Sequence, residues 1–356
     1  MYIANSKYRF VFFIAFCKRL LFLVVVFISI YSCKKTFTSS QFVDDKLVVL
    51  AEITAGDSME IPIGKTIKVG NSGLIRFEKV KEATVIIKDA SSRSYTLLPN
   101  WRPQYLANPA TVFTNRRYFR SNTTYFIEIN HPTLGVVKAT THIPVTPKII
   151  AIDTSAEIYQ GKEVLAATIT WQDDPTLENF YIIEGLKESV KLSRYFYYTG
   201  KRYNYDSQEG KVLYDRIKNI PGIELLKDTV PQNIFTRLNL FTEDINSANS
   251  SIGNLSNPFR RIFFTDLSFS GQNYKTKLYL DRQLFIDPQK KGRVRLQLKS
   301  ASKELYDYLL VYEKYKTDFG TLPSSQLVSP VGNVQNGLGI FGGSSRRERI
   351  FYFDQL

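Results

Sequence analysis

Short runs of β-branched and aromatic side chains, cut by turn residues, recur along this chain from residue 46 onward. Tyr125, Ile127 and Ile129 alternate with Phe126 and Glu128, the period of two expected of a strand buried on one face. Residues 135–143 supply a hairpin partner for 123–129. Comparable runs cover 46–53, 83–89, 148–153, 164–171, 180–184, 261–264, 275–280 and 293–298. The chain holds 22 Tyr and 25 Phe, and aromatic and β-branched side chains suit a pleated, half-buried surface. The expected fold class is therefore mainly β.

At 356 residues the chain exceeds what one core usually holds, so two domains are expected. Pro144 and Pro147 mark the boundary, because proline cannot donate to a central ladder. The expectation is an Ig-like β-sandwich over 46–145, then a larger β-rich domain over 146–356 with one α-helix. Ser302 is the N-cap of that helix. Leu305, Tyr308, Leu309, Tyr312 and Tyr315 follow helical spacing and make a stripe for packing on a sheet. Residues 206–258 are polar and mixed, and no topology is read there.

Ahead of the strands, the apolar run from Leu20 to Ile30 ends in Tyr31-Ser32-Cys33. Lys7, Arg9, Lys18 and Arg19 precede or open that run, and residues 1–32 contain no acid. A basic region, an apolar region and a small residue before Cys33 spell a lipoprotein signal, with Cys33 as the lipidation residue. Residues 1–32 would be removed, and 33–45 would form a polar, lipidated tether. An uncleaved anchor and ordinary secretion are the alternatives. A spanning helix needs about 20 apolar residues, and Lys18-Arg19 interrupts the stretch.

Cys17 and Cys33 are the only cysteines, so the folded part has no disulfide and depends on core burial. The formal charge is +14, but the cations are dispersed among acids, which argues against a nucleic-acid partner. Anionic lipid headgroups, lipopolysaccharide or an acidic partner suit such a surface better.

No catalytic constellation emerges. His131 and His142 are the only histidines, and no Ser-His-Asp or histidine metal set forms around them in the sequence. An enzyme is not expected, and no cofactor or metal is assigned. Gly337, Gly339 and Gly342 match G-x-G-x-x-G, but the chain ends before the acid that a dinucleotide site needs about 20 residues on. These glycines are read instead as sites of positive φ or close backbone packing. Asp173, Asp174, Glu178 and Asn179 carry calcium-type oxygens without calcium-loop spacing, and Asp174-Pro175 reads as a turn.

The densest aromatic and basic segment is 195–205, read as a hairpin around Thr199-Gly200-Lys201. Tyr195, Tyr197, Tyr198, Arg202 and Tyr203 are the candidates for ligand or partner contact, because rings stack on sugars and peptides and cations meet anions. Cross-strand ring pairs also stabilise hairpins with no ligand involved. Trp101 and Tyr105 form a second aromatic candidate in a long loop.

Several segments, taken in order, resemble the Bacteroidota outer-membrane lipoproteins that carry domain of unknown function 4249. They are Cys33 in its signal context, residues 46–49, and 138–144 (KATTHIP). Further along they are 171–175 (WQDDP) with 179–181 (NFY), 264–271 (FTDLSFSG), 304–308 (ELYDY) and 333–343 (NVQNGLGIFGG). The resemblance implies a lipid-anchored outer-membrane protein, an accessory or substrate-binding partner of a TonB-dependent receptor in nutrient uptake. It carries no catalytic residue. A surface-anchored hydrolase and an adhesin or envelope scaffold stand as alternatives.

Overall fold

The computed structural model describes residues 45–69, 74–100, 110–249, 259–281, 292–318 and 331–352. The leader, Cys33, most of the tether, Trp101 and Tyr105 lie outside the described residues.

The first core is enclosed by two layers. One layer contains β1 (Leu47–Thr54), β2 (Ser58–Val69), β3 (Leu74–Lys79) and β6 (Thr111–Tyr118). The other contains β4 (Thr84–Asp89), β7 (Thr123–His131) and β8 (Gly135–Ile143). β5 (Ser94–Pro99) pairs with both β4 and β6 and so joins the layers. Alternation sets the inward faces: Val49, Ala51 and Ile53 of β1 and Ile61 of β2 meet Val85, Ile127 and Val137. The hairpin that the period of two predicts is present, with Ile127 facing Ala139.

The second core lies between a four-stranded sheet and part of the larger one. The smaller sheet has the order β14 (Leu240–Phe241), β16 (Asn273–Asp281), β10 (Lys162–Gln172), β9 (Lys148–Tyr159). Facing it are β11 (Phe180–Tyr198), β15 (Arg261–Thr265), β17 (Gly292–Ala301) and β18 (Leu338–Tyr352). Trp171, fully buried, sits among Tyr181, Phe264 and Phe269.

β18 belongs to both cores. Its first half pairs in parallel with β1, with Ala51 opposite Phe341. Its second half pairs antiparallel with β17, with Val294 opposite Phe351. Phe341 therefore packs in the first core and Phe351 in the second. The glycines expected to permit close packing or positive φ do both. Gly339 has φ +101, and a Cβ there would lie 2.0 Å from Val49 O. A Cβ on Gly342 would lie 2.6 Å from Leu305 Cβ.

Where the sequence reading gives one helix, the described residues hold two: α1 (Gln208–Ile217) and α2 (Lys303–Asp318). Ser207 caps α1, accepting from Gly210 N. Ser302 caps α2 as expected, accepting from Leu305 N at 3.4 Å. α2 packs Leu305 and Tyr306 against Phe180, Ile182, Phe263 and Ile340 on the outer face of the large sheet. The buried stripe differs from the predicted tyrosine stripe. Tyr312 is 47% exposed, whereas the neighbouring Glu313 is buried. Glu313 takes the inward position because Arg261 and the Arg260 N–H bond it there.

β11 outruns β17. Past Ser189 it continues between β12 (Lys201–Asn204) and β13 (Leu226–Arg237), which pair with it on opposite edges. These strands and α1 make an arm with an aromatic core of its own. Phe196 is fully buried there, stacked on Tyr203 and tilted against Tyr214.

Candidate docking site

Two places gather side chains suited to contact, one on the arm and one at an end of the second core. The arm hairpin turns at Thr199 and Gly200, which take φ 49 and 77, as a two-residue hairpin turn requires. It sorts the sequence candidates onto two faces. Phe196 and Tyr203 are cross-strand partners on the face that α1 covers. Tyr195, Tyr197 and Arg202 lie on the other face, where the Arg202 guanidinium sits 3.8 Å from the Tyr195 ring centroid. Tyr197 meets Tyr195 edge-on at 5.8 Å and is half-exposed. Tyr198, next to the turn, is partly buried. Arg202 also pairs with Asp228 of β13 at 3.5 Å. This second face is a small cation-on-ring surface able to stack a planar or sugar-like group.

The other place is built from three loops that the sequence does not bring together. The Asp174-Pro175 turn forms as expected, with Asp174 Oδ1 accepting from the Thr176 N–H at 3.0 Å and from its hydroxyl at 2.7 Å. Those bonds hold the Asp174 carboxyl below its ordinary range. Asp173 turns inward and accepts from the Tyr181 hydroxyl at 2.6 Å and from Gly271 N at 2.7 Å. Burial pushes its carboxyl up, against the pull of those two donors. Asn179 then ties the first loop to a short 3-10 turn at Asp266–Ser268: its Nδ2 donates to Leu177 O and to Asp266 Oδ2, and Asp266 N donates to Asn179 O. The third loop is held by Tyr274. Its ring stacks 3.9 Å from that of Phe269, and its hydroxyl donates to Asp244.

Asp173, Asp174, Asn179, Asp244 and Asp266 bond within the protein, and the loops present three large aliphatic side chains beside exposed polar ones such as Glu178, Asn246 and Ser268. Leu177 is 64% exposed, Leu267 80% and Ile245 90%. None of the three figures among the sequence candidates. The available signal was one large aliphatic residue in each of three polar turns. Among the described residues, no group of three or more His, Cys, Asp or Glu is placed to hold a metal ion. No helix among them is long and apolar enough to cross a membrane.

The segments that carry the family resemblance meet in two junctions. Residues 171–181 and 264–271 lock together through Trp171 on Phe269, Asp173 on Gly271 and Asn179 on Asp266. Residues 138–144 and 333–343 meet at Ser302, the cap two residues ahead of 304–308, whose hydroxyl takes bonds from Thr141 Oγ1 at 3.2 Å and Gly343 N at 3.3 Å. Asn333 Nδ2 adds bonds to Thr140 O and Phe341 O.

A mainly β fold with these junctions defines a class of two-core β protein without barrel closure. A family model described as a domain of unknown function (DUF4249) matches residues 35–350, and the chain belongs to that family. The search of curated proteins gives no match.

Proposed function

We propose that this chain is a lipid-anchored protein of a Bacteroidota outer membrane that works by holding a partner, as an accessory of a TonB-dependent receptor in nutrient uptake. The loop end carries the reading. Asp173, Asp174, Asp244 and Asp266 are engaged in bonds within the protein, while Leu177, Ile245 and Leu267 are offered to an outside surface. Exposed aliphatic side chains on rigid, cross-bonded loops suit protein contact, because little order must be gained on binding. The anchor rests on the signal pattern that ends in Cys33. The second core itself is filled by Trp171 and its neighbours rather than hollow. Purification of the tagged full chain under mild detergent tests the reading. An outer-membrane receptor is expected to come with it, and recovery without one overturns the proposal.

A further inference from the structure

β9 is the outer strand of the four-stranded sheet, with β10 as its only strand neighbour among the described residues. Its register slips once. Trp171 faces Ile149 and Thr170 faces Ala151, which leaves Ile150 as the extra residue of a β-bulge. The bulge lets Ile149 and Ile152 both turn toward the second core. It also pushes Ile150 outward, where it is half-exposed.

The far edge of β9 has backbone groups with no strand to receive them. One of them, Ile152 O, accepts from Arg349 Nη1 at 2.8 Å. Unpaired edges are templates for another chain, and the bulge at Ile150 and the cations beside it guard this one against indiscriminate pairing, so that only a segment matching their shape and charge is taken. Here the edge runs into an open groove of about 440 Å³ between residues 146–152 and Arg347, Glu348 and Arg349 of β18. The groove's charge is positive. Glu348 is held by Gln297 and Arg295. Among the described residues, Lys148 Nζ donates to the neutral amide oxygen of Gln172 and makes no ion pair. Arg347 is exposed and makes no ion pair among the described residues, and Arg349 donates to a neutral carbonyl.

We propose that this groove and the β9 edge take an extended, acidic segment of a partner protein as a fifth strand. Main-chain bonds to β9 supply register and affinity, and alternate side chains of the segment supply specificity. Carboxylates on one face of the added strand meet Arg347 and Lys148, and an apolar side chain covers Ile150. A second copy of this chain fits less well, because it brings a formal charge of +14 to a positive groove. The proposal goes beyond the receptor reading and depends on neither the lipid nor the aliphatic loop tips.

A fluorescein-labelled decapeptide alternating Glu with Val and Thr is the probe, titrated by anisotropy against the full chain in detergent. Saturable binding is expected. Binding at least tenfold weaker is expected for a Lys-for-Glu peptide and for a peptide with two central prolines. Arg347→Glu and Lys148→Glu, each checked by circular dichroism for an unchanged fold, are expected to weaken the acidic peptide at least tenfold. Amide exchange over residues 148–152 should slow when the peptide is added. Failure of the acidic peptide to bind overturns the proposal. Equal binding by the proline peptide overturns strand addition, and undiminished binding by both charge variants removes the peptide from this groove.

Discussion

Lys299 Nζ lies 2.7 Å from Glu184 Oε2, with both side chains sealed from water on the face of the sheet that α2 covers. Lys299 reaches Glu52 as well, at 2.8 Å, and Arg261 links Glu184 to Glu313 of α2. Four strands and a helix thus share one ionic chain: β1, β11, β15, β17 and α2.

Breaking this chain at Glu184 is expected to cost more than the pair contributes. Glu184→Gln leaves Lys299 and Arg261 short of a partner in a buried site, and about 3–5 kcal/mol of stability should be lost. Urea unfolding measures it, and a loss below about 1 kcal/mol contradicts the assignment. A pH effect accompanies it. Burial pushes the Glu184 carboxyl up, but Lys299, Arg261 and Arg237 outweigh burial and hold it down to about 2. A carboxyl depressed in the folded state stabilises fully above its unfolded pKa, near 4.3, and loses that contribution as pH falls toward 2. The wild-type protein should therefore lose stability steeply between about pH 4.5 and 2, and Glu184→Gln should flatten that slope.

Glycines in this chain differ in what they spare the fold. Gly56 has φ +85 and open space around the Cβ position, so Gly56→Ala should cost about 1 kcal/mol from backbone strain alone. Gly339 has φ +101 and Val49 O where the Cβ would be, so Gly339→Ala must also push β18 off β1. Thermal unfolding should place Gly339→Ala well below Gly56→Ala. Equal melting temperatures contradict the close approach of the two strands.

Most strands are legible in the sequence because a strand writes its exposure locally, as Tyr125, Ile127 and Ile129 do. The role of β18 is not. Its pairing with β1 joins residues near opposite ends of the described chain, and no local pattern reports a non-local partner. α1 escapes for a different reason. Gly210 lies in its first turn and its face is mostly polar, so only the Ser207 cap announces it. Tyr312 misleads because helical spacing treats a tyrosine as apolar, while Arg261 draws Glu313 inward. Of the candidate surfaces, the 195–205 hairpin is readable from Thr199-Gly200. The loop end is not, since Asp173 and Gly271 meet across 98 residues of sequence.

The arm should melt apart from the body. Phe196 is fully buried against Tyr203 and Tyr214, rings contributed only by β12 and α1. Phe196→Ala removes the centre of that cluster, a change that costs about 3–5 kcal/mol in a well-packed core. Hydrogen exchange should rise across 195–217 and stay unchanged around Trp171. A uniform rise over the whole chain shows that the arm is cooperative with the body and contradicts this prediction.

Anchor and loop tips can be separated by paired variants. Cys33→Ala removes the thiol that would take the lipid, and the protein should move from the membrane pellet to the soluble fraction. An unmodified Cys33 in an intact leader, found by mass spectrometry, contradicts the anchor. Leu177→Asp combined with Leu267→Asp acts at the other end of the argument. Both side chains are exposed, so stability should change by less than about 0.5 kcal/mol for each. Charge on two aliphatic contacts should nevertheless abolish co-purification of the receptor while the protein stays in the membrane pellet. Receptor recovery equal to wild type, with Cys33 lipidated, removes these loops from the contact and leaves the anchor standing.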